Sequence, residues 1–267
     1  MSAPLTADVL ALGLCAPGLT DVDAFRRWHA DADAPLPAGH HADAAAARMA
    51  AGERRRAPHS VHLAIEVASQ ALGMRDAAAI GLIHCSAYGD IANTDALLQT
   101  LTTAPRATSP TRFTHSVHNA AAGHWSMASA SHAAGTALAG GRDGFGPALL
   151  AALLQLRVWP TPLLLVLSDA AAVGALADAA PCACDFAAAL LLAPAQASGR
   201  PRLQATLHAG SAAATAPHDA RLLPWWQGNP AAQVLPLLEA IGAAARRDFT
   251  WPLGSGTLLR VHCESSP

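Results

Sequence analysis

The stretch Ser116–Gly135 (SVHNAAAGHWSMASASHAAG) decides the fold, because it joins a tight polar turn to a long run of very small residues. The residues after Asn119 are nearly all Ala, Ser and Gly, which predicts a helix that packs closely against its neighbours at the centre of a layered fold. The first N–H groups of such a helix have no intrahelical partner, and the helix dipole adds partial positive charge. An oxyanion or a thiolate would be stabilised there, yet the turn contains no cysteine.

Working outward from this turn, apolar runs alternate with helical patterns, and period-2 alternation is almost absent. This arrangement predicts one α/β domain over residues 1–267, with a sheet covered on both faces. The predicted strands are Asp8–Leu14, Ala79–Ser86, Pro162–Ser168, Ala183–Ala193, Arg202–His208 and Leu258–Cys263. The predicted helices are one opened by Asp21 and carrying Phe25 and Trp28, then Ser60–Leu72, Thr94–Thr102, the small-residue helix as far as Gly140-Gly141, Phe145–Leu156 and Pro230–Ala245, kinked at Pro236.

The remaining segments are predicted to be irregular. Residues 31–58 contain at most a short helix, Ser109-Pro110 is a turn, and residues 210–227 form a long loop.

Charge is scarce: 13% of the residues are charged and 52% are apolar, against about 25% charge in an average domain. This indicates either a surface covered by a partner or the codon bias of a GC-rich genome, and all 17 basic residues are arginine. The net charge of −2 and the lack of a basic stripe argue against nucleic-acid binding. The one basic run, Arg54-Arg55-Arg56, predicts a solvated helix start or a docking point for an acidic carrier protein.

The sequence shows no membrane-span or signal-peptide pattern and no metal-binding spacing of its cysteines. No apolar run is long enough to predict a membrane span, and the first residues lack the charged and apolar regions of a signal peptide. The five cysteines form no CxxC pair and lie mostly in apolar runs, which predicts buried free thiols rather than a zinc site. A reducing cytoplasm is therefore expected.

Two alternative chemistries at the turn are weak. His115, His118 and His124 have no carboxylate or thiolate beside them, so no metal site is predicted; His118 and Asn119 are expected to bond backbone around the turn. A serine hydrolase would need its serine in a GxSxG turn, and Ser126 lies inside the predicted helix. Asp169 is the best available acid for such a triad.

Three motifs carry a resemblance to a known family. Ser86–Ile91 (SAYGDI), Ser109–Phe113 (SPTRF) and His115–Gly123 (HSVHNAAAG) resemble the β-ketoacyl synthase-like proteins called chain length factors in aryl polyene and xanthomonadin-type pigment clusters. Looser matches extend over most of the chain from Ser60 onward. The resemblance implies a thiolase-like fold with layers α/β/α/β/α, a complete first half through Ala193 and an abbreviated second half.

The resemblance also implies a lost active site. A catalytic ketosynthase carries a cysteine at the elbow before its central helix, and the matching motif puts Asn119 or a direct neighbour there. An Asn amide cannot form the acyl thioester that condensation requires. His208, His218 and His262 lie outside the Gly-flanked loops that hold the catalytic histidines of the family.

The implied function is a non-catalytic subunit that pairs with a catalytic ketosynthase as a heterodimer and receives chains from an acyl carrier protein, without a cofactor. The side chains expected to line a shared acyl tunnel or interface are Phe113, His115, His118, Asn119, His124 and Trp125. Two alternatives remain open. One is residual malonyl decarboxylation with Asn119 as amide donor to an enolate; the other is a carrier-docking module that uses Arg54, Arg55 and Arg56.

Overall fold

The computed structural model describes residues 4–103, 107–196 and 199–264. The strands are β1 (Leu5–Cys15), β2 (Gly81–Cys85), β3 (Gly135–Leu138), β4 (Leu163–Asp169), β5 (Phe186–Pro194), β6 (Arg202–Ala209), β7 (Arg247–Gly254) and β8 (Thr257–Glu264). The α-helices are α1 (Val22–Ala30), α2 (Ala51–Arg54), α3 (His59–Leu72), α4 (Ile91–Thr103), α5 (Pro110–His115), α6 (Ala120–Ser129), α7 (Phe145–Val158), α8 (Leu223–Gly228) and α9 (Leu235–Gly242). Short 3₁₀ turns span Gly141–Asp143, Gly174–Leu176, Ala220–Leu222 and Pro230–Val234.

The eight strands form one sheet in the order β3-β2-β4-β5-β1-β6-β8-β7. Strand β2 runs parallel to both β3 and β4, and the other neighbouring pairs are antiparallel. The first half of the chain supplies five neighbouring strands and the second half supplies three. Strand β1 joins the two sets, because it pairs with β5 on one side and with β6 on the other.

Helix α7 lies inside this sheet rather than on its outside. It contacts β2 near one end of the sheet and β7 at the other end. These strands are six positions apart, about 29 Å in a flat sheet, whereas a helix with its side chains is only about 10–12 Å across. The sheet therefore curls around α7, which becomes the central layer between the five strands and the three.

Contacts at the start of α7 confirm this enclosed position. The Phe145 ring meets the Trp251 ring edge-on, with centroids 4.8 Å apart. A Cβ on Gly146 would lie 2.8 Å from the Trp251 Cβ, so only glycine lets β7 approach so closely. Ala148, Leu149 and Ala152 are completely buried in the same core.

The opposite face of the five strands is covered by α3 and α6, around buried side chains such as Ile65, Leu72 and Trp125. The α/β class and the thiolase-like arrangement agree with the prediction, and so does the abbreviated second half. Among the residues described, no helix covers the outer face of β6, β8 and β7, whose side chains alternate between buried and accessible. In the described part of the chain, the abbreviation of the second half therefore falls on the outer side of these three strands.

The prediction of one small-residue helix reaching Gly140-Gly141 is wrong. Helix α6 ends at Ser129, because Ala130 adopts a left-handed conformation with φ of 50°. Residues Gly135–Leu138 then form β3, which pairs with β2 through Thr136 opposite Ile83. Small residues therefore serve two elements here, a surface helix and an edge strand.

Several other boundaries also differ from the prediction. The expected turn at Ser109-Pro110 begins α5, since the Ser109 hydroxyl accepts the Arg112 N–H and proline suits the first helical position. Pro236 likewise opens α9 instead of kinking a longer helix. The loop expected over 210–227 contains most of α8, and β7 was not predicted at all.

The N-terminal predictions are confirmed. Asp21 caps α1 by accepting the Ala24 N–H at 2.7 Å, and Phe25 and Trp28 are buried. The short helix expected within residues 31–58 is α2, although Arg54 ends it rather than starting one. In the part of the chain that the structure describes, no helix is long and apolar enough to cross a bilayer.

Candidate functional site

The turn from β3 into the central helix α7 is a tight strand–turn–helix connection. It runs through Gly140-Gly141-Arg142-Asp143-Gly144, with φ of 55° at Gly141. A Cβ on Gly140 would lie only 2.3 Å from the Gly144 Cα, so the turn closes on itself too tightly for a side chain there. No cysteine, serine or threonine stands in this turn.

Asn119 is not in this position. It lies on the surface at the start of α6, its side chain makes no capping hydrogen bond, and α6 buries only Ala121 and Trp125. The prediction that the central helix follows Asn119 is therefore wrong. Small residues allow close packing, but a helix segment enclosed between two parts of a sheet must be apolar all round. The first ten residues of α7, Phe145–Leu154, are all apolar, whereas α6 carries His124, Ser126 and Ser129.

The thiol that contacts the turn into α7 is that of Cys85, at the end of β2. Its Sγ lies 3.6 Å from the Gly144 carbonyl oxygen, and the residue is buried. Burial, followed by the nearby Asp169 carboxylate, raises the pKa of this thiol to about 12. Cys85 therefore stays protonated at neutral pH and is not a nucleophile.

Buried polar groups gather where the parallel strands β2 and β4 end. The Asp169 Oδ1 accepts hydrogen bonds from the Ser86 hydroxyl at 2.7 Å and from the Ala87 N–H at 2.9 Å. Ser168, the residue before Asp169 in β4, has its hydroxyl 2.9 Å from the His84 Nε2 of β2. Burial raises the pKa of Asp169 to about 7, although these donors favour its ionised form.

Replacement of Asp169 by asparagine is expected to remove a pH dependence of stability. The pKa of Asp169 is raised in the folded chain, so its proton stabilises the fold at low pH, and that stability is lost as pH rises from about 4 to about 7. Urea unfolding measures this at pH 5 and pH 8. As the pH rises, the unfolding free energy of Asp169→Asn should increase relative to that of the wild type, by at most about 1.4 kcal/mol per pH unit. An unchanged difference between the two proteins at both pH values would contradict this.

His118 bonds backbone as predicted: its Nε2 donates to the Ser86 carbonyl oxygen at 3.1 Å. Beneath it lies a cavity of about 20 Å³, room for about one water molecule. The His84 Nδ1 and the Asp90 Oδ2 are buried beside it without a hydrogen-bond partner among the described residues. Burial and the nearby His118 lower the pKa of His84 to about 4, so this ring is neutral.

Among the residues that the structure describes, the other tunnel candidates do not all line one common channel. Phe113 is 65% exposed, whereas Trp125 is buried against α3 under the Arg48 guanidinium. The His115 and His124 rings lie 5.4 Å apart, and both residues are half-buried. Phe113, together with the exposed Val117 and Met127, faces outward instead.

A much larger pocket, of about 820 Å³, opens where the N-termini of α3, α4 and α5 converge. His115, Arg56 and Arg112 contribute to its walls. The histidines near the turn predict no metal site, but the fold brings His41, His59 and Asp185 together at this pocket. Asp185 is far from both histidines in the sequence, and the only local signal is the presence of three histidines, His40, His41 and His59, within residues 40–59.

The second-half histidines lie away from the turn into α7. His208 bonds the Thr206 hydroxyl, and the His262 Nδ1 lies 2.7 Å from Asp248. Both belong to the outer side of the three-stranded part of the sheet, while His218 is exposed beside α9.

Comparison with known proteins places this geometry in a family. A chain of the ketosynthase ApeO in complex with its chain length factor ApeC from Xenorhabdus doucetiae has the same fold, with a TM-score of 0.74, 20% identity and coverage of 97% of this chain and 99% of that one. A chain of the ishigamide ketosynthase/chain length factor has a TM-score of 0.69 at 16% identity, covering 98% and 100%. A chain of AntDE:AntF, a type II PKS acyl-carrier protein in complex with its ketosynthase, has a TM-score of 0.72 at 11% identity, covering 99% and 100%.

No curated protein sequence matches the chain. The family model for the N-terminal domain of β-ketoacyl synthases, however, matches residues 26–244, which is most of the chain. It includes the turn into α7, the polar cluster at the ends of β2 and β4, and the large pocket. The chain belongs to the β-ketoacyl synthase N-terminal domain family.

Proposed function

We propose that this protein is a non-catalytic subunit of the chain length factor type, which pairs with a cysteine-bearing β-ketoacyl synthase in the biosynthesis of a polyene-like pigment. The observation that carries the proposal is the turn into the central helix. Gly140–Gly144 has the strand–turn–helix geometry of a nucleophile elbow but holds no nucleophile, and the adjacent Cys85 thiol is buried and protonated.

A partner surface is available at the β3 side of the sheet. Strand β3 is the outermost strand, so one of its edges has no partner strand among the described residues. Phe113, Val117 and Met127 expose large apolar side chains on the neighbouring α5–α6 segment. We call these three side chains and the outer edge of β3 the edge surface, and we assign the ketosynthase to it.

The fold neighbours support this pairing. Two of the three similar structures contain a ketosynthase together with a chain length factor, and the third contains a ketosynthase with an acyl-carrier protein. Placed against a partner at the edge surface, Phe113 and Val117 would limit the acyl chain, whereas the buried Trp125 would only support α6 from behind.

Acyl carrier docking is proposed at the basic run. Arg55 and Arg56 are exposed just after α2, and Arg56 lies at the rim of the large pocket. Guanidinium groups there would attract an acidic carrier. The cysteines among the described residues are all buried free thiols, in keeping with the proposed cytoplasmic location.

The proposal is tested by acyl transfer. Purified chain alone, incubated with acyl-carrier protein loaded with an acyl group, should show no added acyl mass and no condensation with malonyl-carrier protein. Addition of the catalytic ketosynthase should give condensation, with the acyl group found only on the partner's cysteine. An acyl group on any residue of this chain, or malonyl decarboxylation by this chain alone, would instead favour a degenerate enzyme.

A further inference from the structure

The strongest feature that the proposed function leaves unused is a histidine–carboxylate cluster at the large pocket. His41 comes from the loop before α2, His59 from the first turn of α3, and Asp185 from the residue before β5. Their nearest ligand atoms all lie within 4.8 Å of one another. The Asp185 side chain is completely buried, while His41 and His59 are partly exposed to the pocket.

Asp185 is already held without the two imidazoles. Its Oδ1 accepts the Ala171 N–H at 2.7 Å, and its Oδ2 accepts the Ala42 N–H at 2.8 Å. The same Oδ2 is approached by the His59 Nε2 at 2.7 Å and by the His41 Nδ1 at 3.4 Å. The Asp185 Oδ2 already accepts a backbone N–H, so a carboxylate with a purely structural role does not need two further ring nitrogens on the same oxygen.

From this arrangement we propose that His41, His59 and Asp185 form a site for a divalent transition metal ion such as Zn²⁺. Two imidazoles and one carboxylate are a common ligand set for these metals. In a tetrahedral site with bonds of about 2.0–2.1 Å, ligand atoms lie about 3.3 Å apart. The contact from His41 to Asp185 already matches this spacing, and the contact from His59 to Asp185 is about 0.6 Å shorter than it. The two ring nitrogens lie within 4.8 Å of each other, and both imidazoles are exposed enough to adjust around an ion.

The surroundings suit such an ion. The backbone N–H groups of Ala42 and Ala171 orient the carboxylate, as outer partners do around metal ligands. All three residues line the pocket of about 820 Å³, so water or a ligand group from the pocket can reach an ion held by them. The ion would link the loop before α2 to α3 and to the start of β5, three segments that are distant in the sequence.

The experiment is a calorimetric titration of Zn²⁺ into the untagged, chelator-treated full chain, without a ketosynthase. The wild type should bind one equivalent and unfold at a higher temperature with the metal. His41→Ala should weaken binding at least about 10-fold, because a ligand is lost while the exposed position tolerates alanine. The matched control is His40→Ala: the neighbouring imidazole faces the Ala183 carbonyl oxygen instead, so its loss should leave the affinity unchanged.

A second readout distinguishes this site from adventitious binding. Co²⁺ in the wild type should give visible absorption bands that disappear in both His41→Ala and His59→Ala, while His40→Ala retains them. The proposal is overturned if the wild type shows no saturable Zn²⁺ binding, or if His41→Ala and His40→Ala bind the metal equally.

Discussion

The double variant Phe113→Asp/Met127→Asp is expected to stop co-purifying with the catalytic ketosynthase. Both side chains are more than half exposed, at 65% and 58%, and both belong to the edge surface. Carboxylates buried there against an apolar partner would lose their hydration without gaining a counter-charge. Hot-spot side chains of an interface cost about 2 kcal/mol or more each when lost, so if Phe113 and Met127 are hot spots the dissociation constant should rise by at least about 100-fold.

The measurement is affinity co-purification of both subunits, followed by size-exclusion chromatography. The variant chain itself should remain folded, because exposed substitutions usually change stability by no more than about 0.5 kcal/mol. Leu207→Asp is the matched control: Leu207 is 54% exposed but lies on β6, away from the edge surface. If the double variant and the control co-purify equally well, the ketosynthase does not bind at the edge surface.

Asn229→Ala is expected to cause the largest loss of stability of any single polar substitution proposed for this chain. Asn229 is completely buried, and its amide nitrogen donates to the carbonyl oxygens of Asp169 and Cys184 at 2.9 and 2.7 Å. Its Oδ1 accepts the Ala231 N–H at 2.8 Å. Alanine would take a hydrogen-bond partner from three buried backbone groups, which costs about 3–5 kcal/mol of the unfolding free energy.

Urea denaturation followed by circular dichroism measures this loss. Asn119→Ala is the control, since the Asn119 side chain is exposed and makes no capping bond, and its unfolding free energy should stay within about 0.5 kcal/mol of the wild type. Equal midpoints for the two variants would show that the Asn229 hydrogen bonds contribute little. A position once considered for the lost nucleophile thus serves as the neutral reference.

The strongly apolar elements could be predicted from the sequence. Strands β2, β4 and β5 are buried along nearly their whole length, and such continuous apolar runs are readable without knowledge of their neighbours. Helices α1 and α7 were also predictable from local sequence, α1 from its Asp21 cap and α7 from its apolar residues. The motifs of the first half also led to the right family.

The position of the elbow could not be read in this way. Both α6 and the segment before α7 are rich in small residues, so small residues alone do not locate the elbow. The apolar surface of α7 and the curl of the sheet together identify α7 as the enclosed helix. Strand β7 contains charged and polar residues, so its sequence has no continuous apolar run that would predict a strand. Its pairing with β8 stabilises the extended conformation instead. The cluster of His41, His59 and Asp185 depends on contacts across 126 residues or more and has no local spacing signature.

The place of β1 between β5 and β6 has a consequence for biosynthesis. Leu12 pairs with Leu190, and Leu5 pairs with Ala205, so β1 leaves the ribosome about 180–200 residues before these partner residues do. At about 5–20 residues per second, β1 waits roughly 10–40 seconds with both edges open. Contacts this distant along the chain also slow folding. The nascent protein therefore spends its most aggregation-prone interval during translation, when a chaperone or an already folded partner subunit can shield it.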